Sequence, residues 1–300
     1  MSGFLKDKSE YEKNANNAFE RASKIHSRIN STIRNLFSST DDIEEKCHEA
    51  IKNYQNASRI YLLVGNVPKA IQCLEFVAEL ELRINDFNYT QTLSEMADIC
   101  SKHSDKRAVE LYKKIIGTVI ENNKYEKIGD PFLKLYEFYL VNDTVTKAIE
   151  TLEECLTFEH VMHPPMVNTI KTKLATQYIS NGSYQQAQQL SEELGNEHSK
   201  QQYPYKAEDH FYNALICLLA IGDSIGALNK AKIYAGTYAK FDSGRKYKFV
   251  MELIKAVDEN NIDTFEVAIK DYDRISKLTE LEVTVLLHVK RSVFENNDLC

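Results

Sequence analysis

The sequence predicts an all-α fold of stacked helix hairpins, and three observations carry that prediction. Glycine (10) and proline (5) are few for 300 residues, so turns are sparse and helices dominate. Large apolar residues stand at helical spacing, as in Tyr54, Ala57, Tyr61 and Leu62, or Phe132, Leu135, Tyr136 and Tyr139. An alanine recurs after a turn-forming stretch at Ala70, Ala108, Ala148, Ala187, Ala227 and Ala268, always 38 to 41 residues from the last.

Taken in chain order, Tyr11, Ala15, Ala18, Phe19, Ala22 and Ile25 make an amphipathic first helix. The next stretch, STIRNLFSST, is polar yet holds Ile33, Leu36 and Phe37. Those three share one helical face, so two readings fit: a short turn packed on the core, or apolar side chains covered by something else. Asp41 with Glu44 has capping-box spacing and opens the second helix. Each alanine then marks the start of the second helix of a hairpin, where a larger side chain would hold the pair apart. A single hairpin cannot bury its apolar face and must stack on its neighbour. The period exceeds the ~34 residues of a tetratricopeptide repeat. The array is therefore a TPR-like α-solenoid of long hairpins, a twisted right-handed sheet of helices. Thr279 and Glu282 form another capping box before LEVTVLLHVKRSVF. That helix is apolar on too many faces to stand free, so a closed C-terminal helical bundle is expected. The division expected is residues 1–240 for the repeats, 241–294 for the bundle and 295–300 for a flexible tail.

Composition narrows the function. Apolar residues at 43% suffice for a core, and a net charge of −7 points away from nucleic acid as the main partner. MSGFLKDKSEYEK contains no apolar core of a signal peptide, and no run approaches the ~20 apolar residues of a membrane span. The six scattered cysteines, none in a CxxC, read as reduced cytosolic thiols at apolar helix positions. No phosphate-binding glycine loop and no HExxH occurs. His160 and His163 lack a third metal ligand, and a helix ending at Pro164-Pro165 accounts for them better. Glu153-Glu154 and Glu192-Glu193 read as solvated surface. No enzyme, cofactor or metal is expected.

The segment FDSGRKYKFVMELIKAVDENNIDTFEVAIKDYDRISKL (241–278), AEDHFYNALIC before it, LFSSTDDIEEKCHEAIKNYQNA near the start and the final DLC carry a resemblance. Together they closely resemble the soluble NSF attachment proteins, the alpha type above all. The resemblance implies a cytoplasmic adaptor, peripherally associated with intracellular membranes. Such a protein wraps a SNARE four-helix bundle and recruits and stimulates an NSF-type hexameric AAA+ ATPase, without a catalytic site of its own. It places membrane contact at Ile33, Leu36 and Phe37, with Thr32 where the family has a further phenylalanine. It places SNARE contacts at Lys171 and Lys173, and at Arg245 with Lys246 and Lys248 beside it. Two further basic positions fall on Asp130, with Lys127 a turn away, and on Glu208, with Lys206 nearby. ATPase contacts are implied at Asp258, Glu259 and Asp298, with Leu299 as the stimulating residue; Lys255, Asn296 and Asn297 stand where acids are usual. The other reading is a TPR-like scaffold or complex subunit without SNARE function.

Overall fold

The computed structural model describes residues 2–34, 40–142, 144–200, 205–238 and 240–295, with side chains except at 2–7, 32–34, 40 and 295. Among the described residues there are fourteen α-helices and no strand. Packing divides the chain into two compact units, Met1–Thr144 and Val145–Cys300. The first holds α1 (Ser2–Arg34), α2 (Thr40–Leu63), α3 (Val67–Arg83), α4 (Tyr89–Lys102), α5 (Arg107–Glu121) and α6 (Gly129–Val141). The second holds α7 (Val145–Leu156), α8 (Pro164–Ser180), α9 (Tyr184–Ser199), α10 (Tyr205–Ile221) and α11 (Ser224–Thr237), then α12 (Arg245–Asp258), α13 (Ile262–Ile275) and α14 (Glu280–Val289). Within the first unit each helix packs on the next, and so do α7 to α13 in the second, while α14 packs on α10 and α8.

Three of the hairpin turns share one chemistry. The chain leaves a helix through a left-handed residue, such as Gly65 (φ 80°), Gly222 (φ 89°) or Asn260 (φ 49°). The residue after it caps the next helix. Asn66 accepts from the Lys69 N–H (3.4 Å), Asp223 from Gly226 (2.7 Å) and Asn261 from Thr264 (3.0 Å). Just beyond the cap comes the alanine. Ala70, Ala108, Ala148, Ala187 and Ala227 are all fully buried. At Ala70 the approach is close enough for Ser58 Oγ on α2 to donate to the Ala70 carbonyl at 3.1 Å.

The sixth alanine differs. Ala268 sits in the middle of α13, and the equivalent place after the cap belongs to fully buried Phe265. Phe265 meets Phe294 at 5.3 Å between ring centroids. A large ring fits there because the residues after α14, a π-helical turn Lys290–Glu295, close over that hairpin.

Three other local readings change. Tyr11 is exposed, and α1 buries Ala15, Ala18, Ala22 and Ile29. Asp41 lies inside the first turn of α2, where its charge complements the helix dipole. Pro164 opens α8 instead of closing a helix, since a proline at the first position forfeits no helical N–H bond. His163 is then the N-cap of α8. The Thr279–Glu282 capping box is present with both reciprocal bonds.

In the first unit, Tyr54 stacks on Phe76 at 5.1 Å and meets Phe19 edge-on at 5.6 Å, joining α1, α2 and α3. In the second, α10 is buried on nearly every face. Phe211 stacks on Tyr234 at 4.3 Å, and a Cβ on Gly195 would come within 2.5 Å of the Phe211 ring, so α9 passes close over it. The C-terminal helices share this core: α10 packs against α12 and α14 as well as α9 and α11. On α14, Val285, Leu286 and Val289 face inward while Val283 and Leu287 remain 42% and 46% exposed, so the helix is covered on one side. Cys47, Cys73, Cys100, Cys155 and Cys217 are buried free thiols. Burial pushes Cys73, Cys155 and Cys217 up to about 12 and raises Cys47 and Cys100 as well.

Candidate partner-binding surface

Lys171 and Lys173 sit two residues apart on α8 and meet different surroundings. The Lys171 side chain is 8% exposed. Its ammonium lies 3.0 Å from Glu159, 2.5 Å from Glu193 and 4.0 Å from Glu197. Burial alone would lower its pKa, but the Glu193 and Glu159 carboxylates more than offset that and raise it. Lys171 therefore ties α8 to α9 and to the 3₁₀ turn Glu159–Val161.

Half-buried Lys173 lines a groove of about 650 Å³ together with Thr169, Thr172, His198, Lys206 and His210. His198 and His210 lie 4.9 Å apart between ring centres, and His198 Nδ1 donates to the Leu194 carbonyl at 2.8 Å. Burial, and then the neighbouring His198, pushes His210 down to about 4, so it is neutral near pH 7.

The second basic cluster opens α12. Arg245 is exposed and its Nη1 donates to Ser276 Oγ at 2.6 Å. Lys246 bonds Asp209 of α10 at 2.7 Å and lies 5.0 Å from the centre of the Tyr212 ring. Burial would lower its pKa, and Asp209 reverses that to a net rise. Lys248 is exposed. Glu208 faces the same corner: the Lys246 backbone N–H donates to its carboxylate, and burial pushes that carboxyl up while the Lys246 charge pulls it down. Gly244, the N-cap of α12, has no room for a Cβ between the Phe241 carbonyl and the Glu208 carboxylate. The acid found where a base was expected thus holds the start of α12.

Asp130 lies in the first turn of α6 and Lys127 in the 3₁₀ turn before it. Both line a groove of about 680 Å³ with Phe87, Lys124, Lys134 and Glu137. Asp258 and Glu259 are exposed at the α12–α13 turn, where Glu259 lies 3.8 Å from Lys255. Ile33 falls on α1, but its side chain lies outside the described residues, as do Leu36, Phe37, Asp298 and Leu299.

The paired glutamates are not merely solvated. Glu153 accepts from Tyr178 OH at 2.6 Å, Glu192 lies 2.5 Å from Lys230 on α11, and Glu193 holds Lys171. Sequence spacing carries no signal for these ties, which join residues 22 to 38 apart. Among the described residues no group of three or more His, Cys, Asp or Glu could hold a metal ion, and no helix is long and apolar enough to cross a membrane.

The sequence model of the family described as "Soluble NSF attachment protein, SNAP" matches residues 13–294. The chain belongs to the soluble NSF attachment protein family. Its relatives include an alpha-soluble NSF attachment protein of Vitis vinifera, 27% identical, with 86% of this chain and 87% of the relative covered. A vesicular-fusion protein of Coprinopsis cinerea is 32% identical over 95 residues, 32% of this chain and 33% of that one. Among solved structures, a signal-transduction ATPase with a tetratricopeptide repeat sensor from Pyrococcus horikoshii aligns with a TM-score of 0.47 and 19% identity, covering 92% of this chain and 46% of that one. The family match takes in both basic clusters and the α12–α13 turn, and stops short of the last six residues.

Proposed function

We propose that this family member is a non-catalytic adaptor. It binds SNARE four-helix bundles and brings to them an NSF-type AAA+ hexamer, which separates the bundle during membrane fusion and vesicle transport. The observation that carries the reading is the family match, which runs through both compact units. A SNARE bundle is rich in acidic side chains, and Lys173, Arg245, Lys246 and Lys248 supply complementary charge. Lys171 joins this set in a supporting part, because its ammonium is already engaged by three carboxylates. Asp258, Glu259, Asp298 and Leu299 form the ATPase-facing set. Residues 241–294 close the array as its terminal bundle and the tail follows. Ile33, Leu36 and Phe37 contact the membrane weakly, which suits a cytoplasmic protein held near membranes by its SNARE partner.

ATP hydrolysis by a purified hexamer with a SNARE bundle, measured with and without this chain, tests the proposal. Stimulated hydrolysis and bundle disassembly are expected, with Leu299→Ala retaining SNARE binding and losing stimulation. A chain that binds neither partner is a scaffold of another kind.

A further inference from the structure

The Arg245–Ser276 bond points to regulation. Ser276 is the C-cap of α13, with φ −129° and ψ 102°, and opens the short extended stretch that joins α13 to α14. Ser276 itself is half-buried, and its neighbours are open: the side chains of Arg274 and Lys277 are 78% and 81% exposed, and Ile275 is exposed too. An extended serine with basic residues two before and one after it has the shape and charge that a basophilic serine kinase takes. The nearby acids pair with these same two exposed bases, which a kinase would draw away from them. Asp273 accepts from the Leu278 N–H at 2.9 Å and lies 2.8 Å from Lys277, and Asp271 lies 3.9 Å from Arg274. The hydroxyl itself already touches a guanidinium from another helix.

We propose that Ser276 is a phosphorylation site and that Arg245 is the receptor of the phosphate. Ser276 Oγ attacks the γ-phosphorus of a nucleoside triphosphate bound by the kinase. The Oγ–P bond forms and the bond to the β–γ bridging oxygen breaks. The hydroxyl proton passes to the kinase's base, and the nucleoside diphosphate leaves. The phosphoserine carries roughly −1.5 to −2 charge and three acceptor oxygens, and Arg245 grips it in a charge-assisted pair. That pair ties the start of α12 to the α13–α14 stretch. It also withdraws Arg245 from any acidic partner, a consequence that rests on the functional reading above.

The test uses the full chain, incubated with a basophilic serine kinase and radiolabelled ATP, and a second preparation with phosphoserine installed at 276 by genetic encoding. The folded chain is expected to take label that Ser276→Ala removes. The phosphoserine form is expected to melt about 2–4 °C higher than the unmodified one, with Arg245→Gln cancelling the rise. No label on Ser276, no rise, or a rise that survives Arg245→Gln overturns the proposal. SNARE-bundle affinity is measured separately. Labelling and a cancelled rise with unchanged affinity uphold the modification site and overturn the partner-facing placement of Arg245.

Discussion

The two basic clusters of the second unit carry the same kind of charge and put it to different uses. At α8–α10, Lys171 is sealed among Glu159, Glu193 and Glu197, beside the close crossing of Gly195 over Phe211. At the start of α12, Arg245 and Lys248 are exposed, and Arg245 donates to the Ser276 hydroxyl. Lys171 is internal bracing, whereas Arg245 and Lys248 keep their charge at the surface. Burial, rather than residue type, separates them.

Substitutions should reveal that separation as a gradient. Phe211→Ala empties the site between Tyr234, Phe241 and Gly195 and should cost about 3–5 kcal/mol of stability, read from urea unfolding. Lys171→Ala leaves three carboxylates facing one another. They are about half exposed, so screening discounts the loss to about 2 kcal/mol on the same assay.

A pH titration comes next. His210 has a folded pKa of about 4 against an ordinary 6.5, so the unfolded chain takes up the proton first. Its contribution to stability is complete above pH 6.5 and is lost as pH falls toward 4. The loss at pH 5 should be on the order of 1–2 kcal/mol, and His210→Gln should flatten that slope. Smallest in stability is Arg245→Ala with Lys248→Ala, each within about 0.5 kcal/mol. That pair should instead weaken SNARE-bundle binding and reduce its dependence on salt. A large loss of stability from Arg245→Ala would erase the contrast between the clusters.

Much of the fold was legible because hairpin turns have a local grammar. A left-handed residue and a small buried one lie within five positions of each other at Gly65–Ala70, Ser104–Ala108, Gly182–Ala187 and Gly222–Ala227, so these alanines fell where the turns put them, and Ala148 is likewise buried near the start of α7. The sixth misled because Phe265 takes the post-cap place where the hairpin meets the chain's own end. Pro164 misled because a proline marks a helix start as readily as a stop, and only the geometry decides. The site was less legible. The burial of Lys171 depends on carboxylates 12 to 26 residues away, and the use of Glu208 on a helix start that folds back to it. Neither leaves a periodic trace in the sequence.

The five sequestered sulfhydryls make the chain its own opening gauge. Raised so far above neutrality, they hold almost no thiolate while covered, so an alkylating probe waits on exposure. With Cys300 replaced by serine, Cys47, Cys73 and Cys100 would time the unmasking of one half, and Cys155 and Cys217 the other, in a single mass spectrum.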